Sequence, residues 1–104
     1  MFTRKALDNY VAAFLQELKL TGVEPQKAIL FGSYVNGNPK EHSDIDLAVW
    51  AKDFSGCTTK DIEPIAALVS KYYHIELHTF AADESKTDNP FIEVIERSGR
   101  VLFS

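Results

Sequence analysis

With 104 residues, the chain has length for one compact domain and too little for a second core. Its 45% hydrophobic and 25% charged residues are the balance of a soluble globular protein, and its net charge of −4, with scattered lysines and arginines, argues against binding bulk DNA or RNA. One cysteine, Cys57, excludes an internal disulfide, and no apolar stretch approaches the ~20 residues needed to cross a bilayer, so no membrane association and a cytoplasmic location are expected.

Leu7, Tyr10, Val11, Phe14, Leu15 and Leu18 recur at helical spacing, with Gly22 beyond them as a stop, which predicts an amphipathic helix packed on a sheet. Lys27–Phe31 is a short apolar run that predicts a buried strand and delivers the chain to Gly32-Ser33. Gly37-Asn38-Pro39 makes a further bend. From Asp44 to Trp50 the alternation predicts a second strand, with Ile45, Leu47 and Val49 turned to the core and Asp44 and Asp46 projecting the other way. Ile62, Ile65, Ala66, Val69 and Tyr73 mark a second helix. Pro64 is tolerable only near its first turn, which places the start between Thr59 and Asp61. Tyr72 and Tyr73 are expected to complete the packing of this helix on the sheet.

His74–Phe80 alternates again and predicts a third strand. Asn89-Pro90 opens a last helix, with Asn89 as cap and Pro90 at the first position. Phe91, Val94 and Ile95 should face inward, Gly99 should end the helix, and Val101–Phe103 suits a short edge strand. Trp50 and Phe54 read as exposed apolar residues, for which packing and a partner interface both stay open. The expectation is a small α/β domain in which helices cover one sheet.

The chemistry concentrates in two places. Gly32 lacks a β-carbon, so backbone there can approach a phosphate closely, and Ser33 can offer both its amide and its hydroxyl if it begins a helical turn. Asp44 and Asp46 are like charges that need a cation between them, and Mg²⁺, which binds through carboxylates and substrate phosphates, suits them. Glu76 shares a side of its strand with His74 and His78. If that strand lies beside the one carrying Asp44 and Asp46, three carboxylates can converge and hold two cations about 3.5–4 Å apart. Glu76 is also a candidate acceptor for the proton of an attacking hydroxyl. Each has an ordinary alternative: a plain turn for Gly32-Ser33, solvated carboxylates for Asp44 and Asp46, and an exposed strand charge for Glu76. A zinc site of His74, Glu76 and His78 is disfavoured, because three residues in line on one strand converge poorly; the histidines are expected to face solvent or support other ligands. Tyr34 follows Ser33 and is placed to flank a nucleotide.

Gly32-Ser33, then Gly37, then Ser43-Asp44-Ile45-Asp46-Leu47 resembles the signature of minimal nucleotidyltransferase domains of the DNA polymerase beta superfamily, and the order of elements fits over nearly the whole chain. The resemblance implies a polymerase beta-like fold of the α/β (α+β) type, a small mixed sheet covered by helices, as a single domain over residues 1–104. It implies Asp44 and Asp46 as ligands of two Mg²⁺ ions, Glu76 as the third carboxylate, and Gly32, Ser33 and Ser43 as contacts to the phosphates of ATP or another NTP. Two departures stand out: glutamate where the family commonly has aspartate at the third carboxylate, and Tyr34 where a basic residue often follows the serine. By the same resemblance the chain transfers AMP to a hydroxyl, such as a tyrosine of an all-helical HEPN-type toxin, and acts as its antitoxin. The alternative is a catalytically weak module that neutralises such a partner by contact. Homo-oligomerisation is left open.

Overall fold

The computed structural model describes residues 2–39 and 43–104. Helix α1 (Arg4–Leu20) starts at Thr3, whose hydroxyl accepts a hydrogen bond from the Ala6 amide at 3.1 Å, and it buries Leu7, Val11, Phe14, Leu15 and Leu18. Strand β1 (Pro25–Phe31) runs through Gly32 into α2 (Ser33–Asn36), a single turn closed by Gly37. Then come β2 (Ile45–Ala51), α3 (Thr58–Ile62), a 3-10 turn (Glu63–Ile65), α4 (Ala66–Lys71), β3 (Ile75–Ala81), α5 (Phe91–Ser98) and β4 (Arg100–Phe103). The sheet order is β3-β2-β1-β4. β1 is antiparallel to β2 and to β4, whereas β2 and β3 are parallel and joined by the α3–α4 crossover that such a pair requires. This is the mixed, helix-covered sheet that the sequence leads one to expect, with Arg100–Phe103 as its edge strand.

Strand alternation divides the core in two. One face presents Ala28, Leu30, Ile45, Leu47, Val49, Ile75 and Leu77 to the buried stripe of α1 and to Ile65, Leu68 and Tyr72. The opposite face carries Ile29, Phe31, Ala48, Trp50 and Phe80, and it is covered by Ile92 and Ile95 of α5. Helices therefore lie on both faces of the sheet. Trp50 and Phe54 are buried, at 2% and 4% exposure, rather than displayed. Trp50 stacks on Phe80 at 4.8 Å and donates its indole N–H to the Glu84 carbonyl at 3.0 Å.

Helical phase also differs in the two short helical segments. In α5 the inward residues are Ile92 and Ile95, whereas Phe91 and Val94 are 42% and 45% exposed. The helix begins one residue later than the Asn89-Pro90 pattern suggests, although the Asn89 side chain still accepts from the Phe91 amide at 3.0 Å. The crossover starts at Thr58 and is not one helix. Pro64 falls in the 3-10 turn, which needs no α-type bond at that amide, and the phase shift puts Leu68 and Tyr72 inside and Tyr73 outside.

One buried carboxylate fastens the crossover to the sheet. Asp61 accepts from the Ser55 amide and hydroxyl at 2.8 and 2.9 Å, from the Gly56 amide at 3.1 Å and from the Thr79 hydroxyl at 2.7 Å. Burial pushes its carboxyl up, but the hydrogen bonds from Thr79, Ser55 and Gly56 outweigh this and hold it below the ordinary value. A depressed carboxyl contributes stability above its unfolded value of about 3.9 and loses it as pH falls through the folded value. Asp61→Ala should therefore cost about 2–4 kcal/mol at pH 7, since it strands buried donors. Urea unfolding of the two proteins checks this, and the gap between them should narrow as pH drops below about 4.

Candidate active site

Gly32 ends β1 with φ +83° and ψ −158°, a conformation that L side chains rarely adopt. A second constraint coincides with the first, because a β-carbon at this position would collide with Oδ2 of Asp46. The glycine turn and the Asp46 carboxylate thus lie against each other. From there α2 begins at Ser33, with the Val35 and Asn36 amides donating to the Gly32 carbonyl at 3.1 and 3.0 Å. Ser33 does open a helical turn, and the amides of Ser33 and Tyr34 stand at its start, where a helix supplies no acceptor of its own.

Asp46 is the second residue of β2 and stands on the α5 face of the sheet, in register with Phe31 on one side and Glu76 on the other. The parallel pairing of β2 with β3 is what brings the two carboxylates side by side. His78 lies two residues beyond Glu76 and projects from the same face, and its Nε2 is 3.4 Å from Oδ1 of Asp46. Donor atoms of Asp46, Glu76 and His78 all fall within 4.8 Å of one another. The Asp46 and His78 side chains are 23% and 25% exposed, and Glu76 is exposed. Phe31 packs on the His78 ring at a centroid distance of 5.0 Å, and Phe91 approaches it at 6.1 Å.

Hydrogen bonding to the Asp46 carboxylate, partial burial and the Asp46 charge all favour the protonated form of Glu76 and hold its carboxyl above the ordinary value, while His78 acts in the opposite direction. Two carboxylates pressed together beside an imidazole are a donor set that a divalent cation relieves, so these residues fit the metal that the sequence signature implies.

The remaining candidates are placed differently. Asp44 is exposed and lies just before β2, outside the group formed by Asp46, Glu76 and His78. The strand alternation expected to align it with Asp46 begins one residue later, at Ile45. Ser43 is half-buried beside it. His74 precedes β3 and does not share the site; its ring packs against Phe2, Tyr10 and Tyr73. Tyr34 is engaged with the N-terminal segment, its hydroxyl accepting from the Phe2 amide at 3.3 Å. The sequence pattern suggests a solvent-facing or supporting role for His78, whereas the structure sets it beside Asp46. Its i, i+2 relation to Glu76 was the available signal, but the cross-strand carboxylate that completes the group depends on register.

The family described as "Polymerase beta, Nucleotidyltransferase" matches residues 12–104. A Methanocaldococcus jannaschii protein named "Putative protein adenylyltransferase" is 46% identical over 50 residues, which cover 47% of this chain and 34% of that protein. The match thus spans about a third of the relative's length.

Gly32→Ala should destabilise the fold by at least about 1–2 kcal/mol through its backbone conformation and should also displace the Asp46 carboxylate. Thermal melts should show the loss without metal, and calorimetric titration should show weakened divalent-ion binding as well. For Glu76 the sign is opposite to that of Asp61. A raised folded-state carboxyl contributes stability below its unfolded value of about 4.3, and this is lost as pH rises through the folded value. Glu76→Gln should therefore raise the melting temperature in EDTA at pH 7 and flatten that mildly acidic step, while lessening the gain from added divalent ion.

Proposed function

The chain belongs to the polymerase beta nucleotidyltransferase family, and on that premise we propose that it moves AMP from ATP onto a hydroxyl group of a protein, within one domain over residues 1–104. The observation that carries this reading is the contact between the Gly32 turn and the Asp46 carboxylate, which sets the start of α2 beside a side chain able to hold a cation. In this reading the triphosphate lies along Gly32-Ser33. The Ser33 hydroxyl, the first amides of α2 and the Ser43 hydroxyl bond its oxygens. Asp44, Asp46 and Glu76 would hold two Mg²⁺ ions, which when bound supply charge neutralisation of the triphosphate and polarisation of the α-phosphate.

The acceptor hydroxyl attacks the α-phosphorus in line. A new O–P bond forms, the bond from the α-phosphorus to the bridging oxygen breaks, and pyrophosphate leaves with that electron pair. Glu76 has two carboxylate oxygens, so it would be able to hold a cation through one and receive the acceptor's proton at the other. Positioning and electrostatics provide most of the rate gain. The name of the archaeal relative supports a protein acceptor. The acceptor assigned here is a tyrosine on a HEPN-type helical toxin, with this chain as the antitoxin.

A second reading draws on Asp44. Because that residue stands exposed and outside the Asp46 group, a module that silences a helical partner by contact, with little turnover, is its rival. Labelled ATP separates the two. Asp46→Asn and Asp44→Asn should each lower transfer of labelled AMP to the partner by at least about a hundredfold while circular dichroism stays unchanged. Undiminished labelling by either variant would contradict its assignment. Tight partner binding with no ATP- and Mg²⁺-dependent rise in melting temperature would favour the contact module.

A further inference from the structure

We infer that His78 is a direct metal ligand, making the centre a mixed carboxylate–imidazole site that holds a Zn²⁺-, Co²⁺- or Ni²⁺-class ion more tightly than Mg²⁺. The inference rests on the proposed metal-dependent function and specifies which ion the protein itself retains. Mg²⁺ then enters as the companion of the triphosphate.

Three observations lead here. First, the imidazole Nε2, an Asp46 oxygen and a Glu76 oxygen lie within 4.8 Å of one another, close enough for one ion to touch all three after small side-chain adjustments. Second, the three come from two adjacent strands. The convergence that three in-line residues cannot achieve is provided by Asp46 across the β2–β3 register, while His74 is turned away into an aromatic cluster. Third, the His78 ring is packed against Phe31 at 5.0 Å, so its direction is set by the fold.

The chemistry of the donors then selects the ion. Mg²⁺ is hard, favours oxygen and usually keeps several waters, whereas imidazole nitrogen suits the later first-row ions. Three protein ligands with positions left open is also the arrangement that lets zinc-class ions accept a substrate oxygen. The competing arrangement is a histidine that only hydrogen-bonds Asp46 and orients it toward Mg²⁺. Both arrangements fit a 3.4 Å separation between Nε2 and Oδ1, and they differ in what happens when metal is added.

The test titrates the full chain, without nucleotide, with Co²⁺, Zn²⁺ and Mg²⁺ by calorimetry. Visible absorption follows Co²⁺, and histidine ring resonances follow Zn²⁺. The wild type should bind Co²⁺ and Zn²⁺ more tightly than Mg²⁺. Zn²⁺ should shift the His78 ring signals and leave those of His74 in place. His78→Ala should weaken Co²⁺ and Zn²⁺ by at least about tenfold and alter the Co²⁺ spectrum, with Mg²⁺ affinity changing much less. His74→Ala should change none of these. Unchanged Co²⁺ affinity in His78→Ala, or Zn²⁺ binding that leaves the His78 resonances in place, overturns the inference. If Mg²⁺ still binds and Asp46→Asn abolishes that binding, the proposed function survives this failure. If no ion binds in a manner sensitive to Asp46→Asn, both fall. The resonance experiment uses the unaltered chain, so it decides the matter even if a variant fails to fold.

Discussion

The Asp46 carboxylate is the point on which the site depends. It presses against the Gly32 backbone on one side and meets Glu76 and His78 on the other, and each contact constrains a different part of the chain. Gly32 must lack a side chain and adopt a positive φ, so the turn after β1 has one acceptable residue. Glu76 must pair with Asp46, so β2 and β3 must be parallel and in one register. That register is enforced by the opposite face. A one-residue slip of either strand would carry its acidic residue toward α1 and expose Ile45 and Leu47 or Ile75 and Leu77. Core packing thus maintains an arrangement of like charges that is unfavourable by itself.

Local patterns made much of this visible in the sequence. The α1 stripe, the three main strands, the edge strand and the helical turn at Ser33 follow from spacing, glycine placement and apolar runs, and each forms within a residue or two of its expected bounds. The misplaced residues lie where exposure is decided by packing beyond their own segment or by a shift of helical phase. Trp50 is buried because α5 and the 82–90 segment cover the second face of the sheet, Phe54 packs into the core on the α1 face, and Phe91 and Val94 are turned outward by the phase of α5. Strand alternation says which residues share a face and says nothing of what lies upon it. In the crossover, the 3-10 turn at Pro64 shifts the helical phase, so that Tyr72 rather than Tyr73 is buried.

The site itself was legible to different depths. Asp46 and Gly32 stand out by composition, since a strand aspartate and a glycine at a strand end both ask for a reason. The pairing of Glu76 with Asp46 could be stated only as a condition on strand order, which the parallel β2–β3 ladder satisfies. His78 joins the group through the same ladder. Asp44 went the other way, because alternation applies only inside a strand and β2 opens after it.

Openness is the last property that follows from this layout. α5 packs over β1 through Ile92 and Ile95, while Glu76 is exposed and the Asp46 and His78 side chains keep about a quarter of their surface. A cleft of about 260 Å³ lies on the α1 side of α2, bounded by Phe2, Leu7, Tyr34, Val35, Gly37 and Arg100. Sites for small molecules usually enclose most of the ligand surface, since enclosure is what fixes a small acceptor's orientation. An acceptor carried on a folded protein does not need it, because docking of the larger surface orients the hydroxyl. Phe91 and Val94, exposed on α5 with Phe91 beside the His78 ring, give such a surface apolar contacts at the edge of the reacting group. On the proposed reading, a protein acceptor would take the orientation that catalysis requires from the partner's contact area.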